Sequence, residues 1–273
     1  MSWIAHILHQ GAELLLVPFD ALPALLGLSL LSGLSGVGML WVFGKTTPQK
    51  KIKRAKDKMV AAIYEVRLYL DSPRNVLAAT GRMLGWSGAH LALMLPAFLI
   101  MGPPLSLLLV HMDLRYGKAP LPTDTPVLVK LHIPDAETAR STAVTVDKGS
   151  GAQITAPTLY IEDEELLYVR AVLKAAKVHV LRFKTPEGAV TKRLSAVPDP
   201  GRASPTRASG LAALWAQTTE KPLPSDGPIK RISVKHPPLE TTWLWLPIPW
   251  WLYWLLVSMG VALLVGKRLG VEI

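Results

Sequence analysis

The chain contains no cysteine, which excludes disulfides and thiolate metal sites and leaves the redox compartment open. Charge is missing in particular places: the windows 24–43, 89–110 and 244–265 hold no Asp, Glu, Lys or Arg. Each has about the 20 residues that a helix needs to cross a hydrocarbon layer of ~30 Å, so three membrane spans are expected. Residues 1–11 carry neither Lys nor Arg. The cationic start of a secretory signal is therefore absent, and this stretch is read as part of the protein. Catalytic signatures are absent as well. There is no Gly-rich phosphate loop and no nucleophile elbow, and His132, His179 and His236 stand apart from grouped carboxylates. Neither an enzyme nor a cofactor is expected.

What is present is apolar mass and positive charge: half of the 273 residues are hydrophobic and the formal net charge is +10. Location decides what that charge means. Residues 45–58 hold seven Lys or Arg against one acid, Asp57, directly beside a span. Anionic lipid headgroups and the positive-inside rule explain such a block better than nucleic acid does. A cytoplasmic block puts the N-terminus and residues 113–242 outside and the pair Lys267-Arg268 inside.

The expected fold is an α-helical membrane protein with three transmembrane helices, a cytoplasmic helical hairpin and a periplasmic all-β domain of the immunoglobulin-like sandwich type. In order, residues 1–23 form an outer interfacial amphipathic helix, 24–44 the first span, 45–87 the basic hairpin and 88–112 the second span. Residues 113–198 form the β-sandwich, 199–242 a linker and return segment, 243–266 the third span and 267–273 a cytoplasmic tail.

Several side-chain patterns bear on function. His6, His9 and Glu13 share one helical face, as metal ligands or as the wet side of an interfacial helix. Ser29, Gly33 and Gly36 form a small-residue stripe suited to close approach by another span or by a partner's helix. In the hairpin, Ile52, Ala55, Met59, Ala62, Val66 and Tyr69 recur at helical spacing, and Asp71-Ser72-Pro73 stops one helix and starts the next. This hairpin is either a solvated connector or a docking element. Its first arm carries Lys50, Lys51, Lys53, Arg54, Lys56 and Lys58, which face lipid headgroups, a ribosome or a client. Pro96 and Gly102-Pro103-Pro104 predict a kink or break in the second span. Backbone carbonyls freed there must face protein or water rather than lipid, so Pro96, Gly102, Pro103, Pro104, Ser32 and Ser35 are the candidate lining of a client groove.

Beyond residue 120 alternating β-branched runs occupy 127–133, 142–146, 152–161, 166–173, 178–183 and 189–197, with turn signals at 147–149 and 186–188. The acidic run 162–165 is a calcium ligand set or a solvated turn. Residues 199–210 read as a linker, 211–217 as one or two helical turns and 229–236 as a strand. Trp243, Trp245, Trp250, Trp251, Tyr253 and Trp254 form an aromatic belt at the outer end of the third span.

This order of parts, with a second span reading LALMLPAFLIMGPP from Leu91, resembles the YidC/Oxa superfamily of membrane-protein insertases, above all its three-span archaeal and endoplasmic-reticulum members. The whole chain also resembles a group of bacterial inner-membrane proteins with a Leu114-Arg115-Tyr116-Gly117 type segment after the second span and Gly270-Val271-Glu272-Ile273 at the end. The first resemblance implies a non-enzymatic factor of the bacterial inner membrane that assists insertion or assembly of membrane proteins. Its partners are then the lipid bilayer and client proteins, with ribosome contact as the one link to nucleic acid. None of the three spans carries the intramembrane Arg that bacterial members commonly place in a hydrophilic groove. A second reading therefore stands beside the first: a structural or adaptor subunit of an inner-membrane complex, binding its partner through the β-sandwich.

Overall fold

The computed structural model describes residues 2–147, 151–197, 204–216, 218, 220–239, 241–243 and 246–269. Helices run over Ser2–Asp20 (α1), Ala24–Thr46 (α2), Gln49–Leu68 (α3), Pro73–Met112 (α4), Ala136–Ser141 (α5) and Trp250–Leu269 (α6). Strands occupy Pro126–His132 (β1), Ala143–Val146 (β2), Ala152–Ile154 (β3), Leu159–Ile161 (β4), Leu166–Leu173 (β5) and Val178–Thr185 (β6). They continue with Gly188–Ser195 (β7), Thr206–Ala208 (β8), Arg231–Val234 (β9), Thr241–Trp243 (β10) and Leu246–Ile248 (β11). The chain divides into a helical unit, Leu28–Leu105 with Leu252–Ile273, and a β unit, Met1–Gly27 with Ser106–Trp251.

In the helical unit, α2 ends where Pro48 removes a backbone donor, and the hydroxyls of Thr46 and Thr47 donate back to the carbonyls of Val42 and Phe43. Pro73 then opens α4 at a position where a missing N–H costs nothing. The arm of α3 lies antiparallel to the start of α4. Glu65 pairs with Arg82, Met59 Sδ accepts from Ser87 at 3.2 Å, and the Lys58 ammonium stands 4.2 Å over the Trp86 ring. Of the expected apolar stripe, Ile52, Ala55 and Ala62 are buried and Met59 and Val66 half-buried, whereas Tyr69 is exposed; Ala79 of α4 is buried as well.

The second hairpin arm and the second apolar run are one helix, 40 residues from Pro73 to Met112, with no break at residue 87. Nor does α4 break at Pro103-Pro104. Each proline removes one helical hydrogen bond, and the bonds of its neighbours carry the helix past it. Among the described residues, two helices are long and apolar enough to cross a membrane, Ala24–Thr46 and Pro73–Gly117. In α6 the apolar part, Trp250–Gly266, is shorter. It reaches only ~25 Å at 1.5 Å per residue.

The β unit has two antiparallel sheets and a hairpin. The larger sheet runs β3-β5-β1-β9-β8, with β4 also on β5, and the smaller runs β2-β6-β7. Period-2 alternation builds their shared core: Val129 and Leu131 of β1, Val169 of β5 and Ile232 of β9 are buried with Leu181 and Phe183 of β6. The expected run 152–161 splits into β3 and β4 around Pro157, which cannot donate to a ladder. Gly188, with φ +153, closes the β6–β7 turn that its sequence signalled.

Residues 204–239 lie in the stretch read as a linker and return segment, with a strand expected at 229–236. They supply β8 and β9, and β9 pairs antiparallel with the central β1, Leu131 opposite Ile232. The helix α5 has no counterpart in the sequence reading; Asp135 caps it by accepting from the Thr138 N–H at 2.8 Å.

Candidate functional site

The small-residue stripe of α2 is filled from within the chain. A Cβ added at Gly36 would stand 2.6 Å from the Ser258 carbonyl oxygen, so the α2 and α6 backbones touch there. The seam is fastened by hydroxyls: Ser29 Oγ lies 2.7 Å from the Tyr253 hydroxyl, and the Trp254 indole N–H donates to Ser35 Oγ at 2.9 Å. Tyr253 and Trp254, expected in an interfacial belt, are therefore buried against α2, whereas Trp251 is exposed. Trp245 and the side chain of Trp243 lie outside the described residues.

Between α2, α4 and α6 lies a groove of about 350 Å³. Its lining includes Met39 and Phe43 from α2, Met94, Phe98 and Met101 from α4, and Met259 from α6. The spacing 94, 98 and 101 puts the three α4 side chains on one helical face. Four of the chain's eight methionines meet here, which makes the surface both apolar and deformable.

None of the six candidate groove residues lines it. Ser32 is buried and donates to the Leu28 carbonyl, and Ser35 donates to the Ser32 carbonyl. Pro96, Gly102, Pro103 and Pro104 are exposed. Two residues on from Met94 and Met101, Pro96 and Pro103 point ~200° around the helix. The hydroxyls were read as groove polarity, but a serine in a helix satisfies itself on the preceding turn. Met39, Phe43, Met94 and Phe98 were missed, although the i, i+4 pairs 39/43 and 94/98 of Met with Phe were legible as a soft apolar face.

On α3, Lys50, Lys51, Lys53, Arg54 and Lys58 are exposed and Lys56 is half-buried, opposite the buried Ile52 and Ala55. This is an open basic surface of one amphipathic helix.

In the β unit, the face of α1 that was read as wet or metal-binding turns inward. His9 Nε2 donates to the Ala213 carbonyl at 2.9 Å, so its Nδ1 accepts from His111 Nε2 at 2.8 Å. Both ring nitrogens of His9 are thus engaged within the protein, and among the described residues no three ligating groups converge. His6's side chain lies outside the described residues.

Next to this pair stands Arg115, whose side chain is 1 % exposed. It sits in a π-helical turn, Asp113–Gly117, where one extra residue re-aims the side chains. Its Nη2 donates to Glu13 at 3.1 Å and its Nε to Asp20 at 2.9 Å, a fork gripping two carboxylates of α1. Burial pushes Glu13 up, but the neighbouring His111 and Arg115 outweigh it and hold the carboxyl below its ordinary value. Asp113 accepts from the Trp250 indole at 3.1 Å. A Cβ on Gly117 would overlap both of those groups, so that position requires glycine. The signal for this cluster was an Arg just past an apolar run, with acids seven residues apart on an amphipathic helix.

A second polar cluster is sealed in the sheets. Lys192 Nζ donates to Ser204 Oγ at 2.7 Å and approaches Glu220 at 3.4 Å, while Ser204 Oγ lies 2.7 Å from the Thr218 hydroxyl. The distance is that of a Ser–Lys pair, but both side chains are buried and already bonded, and no substrate reaches them. Burial, opposed in part by Glu220, pushes Lys192 down to about 8.

Comparison with protein-family models, with curated proteins and with solved structures gives no match to this chain. The class is therefore defined by the molecule itself: a helical part with two helices able to cross a membrane, and a β unit.

Proposed function

We propose that this chain is a non-enzymatic factor of the bacterial inner membrane that assists the insertion or assembly of other membrane proteins. The carrying observation is the methionine-lined groove of α2, α4 and α6, open to the side chains of an apolar helix. Thioether side chains adapt to many shapes, which suits a surface that must accept clients of unrelated sequence. In this reading α6 is a third span. The hairpin lies in the cytoplasm, where Lys50, Lys51, Lys53, Arg54, Lys56 and Lys58 meet headgroups, ribosome or nascent chain, and the β unit lies in the periplasm. The order of parts resembles that of the YidC/Oxa superfamily. The groove differs in being apolar, so the client is sheltered by dispersion contacts rather than passed along a wet slide.

The adaptor reading draws less support. Apart from Leu211, Trp215 and Leu239, the described part of residues 120–239 exposes only Leu128 and Leu159 as large apolar side chains. That is little for a stable partner to bury.

A photoreactive residue at Phe98, with one at the exposed Leu91 as control, tests the groove in liposomes holding the full chain and a nascent single-span client. Client adducts at 98 well above those at 91, with insertion reduced when the protein is omitted, are expected. Unchanged insertion without the protein, with no adduct at 98, defeats the reading. A stoichiometric partner recovered through the β unit instead would establish the adaptor.

A further inference from the structure

The outward face of the larger sheet carries a depression of about 440 Å³. Strand alternation explains its chemistry. Val129 and Leu131 of β1 and Ile232 and Val234 of β9 point into the core, so Lys130, His132, Arg231 and Ser233 point out, with Lys130 opposite Ser233 and His132 opposite Arg231. Lys230 and Ser209 complete the polar rim.

The charges are poorly compensated. His132 Nε2 lies 3.2 Å from Glu165. Lys230 Nζ donates to the Ser225 carbonyl, and Lys130 stands 5.2 Å over the Tyr168 ring. Among the described residues no carboxylate forms an ion pair with Lys130, Lys230 or Arg231. Three cations around one concavity repel each other unless an anion joins them.

The depth of the site is set by its neighbours within the same unit. Ser209 precedes the 3₁₀ turn Gly210–Trp215, which exposes Leu211 and Trp215. The Trp215 indole donates to Ser106 Oγ at 2.9 Å, on the apolar run of α4. The turn also holds α1 through Ala213, and α1 exposes Ile7, Leu14, Leu15 and Val17. Tryptophan and an apolar helix face at one level mark a membrane interface. A basic, hydroxyl-bearing depression beside that turn lies where headgroups are.

We infer that this depression binds the phosphate of an anionic lipid headgroup from the leaflet into which α1 and the Leu211–Trp215 edge dip. Arg231 and Lys130 take the phosphate oxygens, Ser233 donates to them, and Lys230 supplies long-range attraction, while the Ser209 hydroxyl donates to the Lys230 carbonyl at the rim. The shared chemistry with a free phosphate is the oxyanion; the apolar edge beside it selects the lipid.

The full chain is placed in phosphatidylcholine nanodiscs with or without phosphatidylglycerol, and lipid retained after delipidation is measured by native mass spectrometry. Wild type is expected to keep phosphatidylglycerol over phosphatidylcholine. Lys130→Gln with Arg231→Gln is expected to lower that retention at least tenfold, while Lys184→Gln with Lys235→Gln, equal in charge removed, changes it less than twofold. All four positions are exposed, and unchanged melting of both variants shows that the fold survives. Inorganic phosphate alone, titrated without anionic lipid, is expected not to saturate the site. Equal retention by the two variants overturns the site. Saturation by inorganic phosphate without lipid retention overturns the lipid as its occupant.

Discussion

The two units solve the same problem, holding distant segments together, with opposite chemistry. The β unit joins α1 to the Asp113–Gly117 turn with a guanidinium and two carboxylates, and stitches β7 to the segment beyond it with Lys192 and Glu220. The helical unit uses no charge for its tightest seam: a glycine lets two backbones meet, and hydroxyls finish the contact. Where ions are already committed to each other, removing one strands the rest. Where backbones touch, the sensitive variable is volume.

That contrast can be broken first at Arg115. Arg115→Met takes the guanidinium from Asp20 and leaves Glu13 with His111 alone, and losing one partner of a buried pair costs about 3–5 kcal/mol. The expected result is release of α1, read as new protease cleavage within residues 2–20 and a lower melting temperature. An unchanged digest would show that α1 is held by its apolar contacts alone.

A second test uses pH. Free Lys titrates near 10.5 and the buried Lys192 near about 8, so between those values the unfolded chain binds the extra proton. Stability of the β unit therefore rises with pH across that window, by about 3 kcal/mol in full. Burial, with the charges of Lys192 and Lys118 behind it, pushes His236 down to about 4 from 6.5. Here too the unfolded chain binds the extra proton, so stability present above 6.5 is lost as pH falls towards 4, again by about 3 kcal/mol. Urea unfolding followed over pH checks both limbs. Lys192→Met should flatten the alkaline limb and, by removing one of the charges behind the His236 shift, shrink the acid one only slightly.

Gly36→Leu tests the seam by volume. Overpacking against the Ser258 carbonyl should cost about 1–3 kcal/mol and part the helices. Because the chain has no cysteine, a pair introduced at Gly33 and Val261 reports the spacing through disulfide yield, which should fall. Tyr253→Phe is the mildest change, removing one hydrogen bond at a cost of about 0.6 kcal/mol. A larger loss there would mean that hydroxyls, not shape, hold α2 to α6.

The sequence disclosed what is periodic and hid what depends on partners far along the chain. The strands from β1 to β7 were legible because alternation and turn residues are local signals, and the hairpin was legible from its spacing and from Asp71-Ser72-Pro73. β8 was obscured by a Pro- and Gly-rich neighbourhood; β9 falls within the strand expected at 229–236, but its pairing with β1, about 100 residues earlier, was not legible. The groove was sought at prolines and serines because polarity was expected there, while its lining is methionine and phenylalanine on a different helical face. Arg115 was visible as a boundary residue only. Its role needs Glu13 and Asp20, about 100 positions away, to be brought to it.

The groove has unequal jaws. One is the α2–α6 pair, clamped by backbone contact at Gly36 and therefore stiff. The other is α4, which meets the opening with Met94, Phe98 and Met101, side chains that yield under load. Since α4 runs without interruption from Pro73, the hairpin arm is the handle of that sprung jaw. The α4 residues that pack on α3 and those that line the groove therefore belong to one uninterrupted helix.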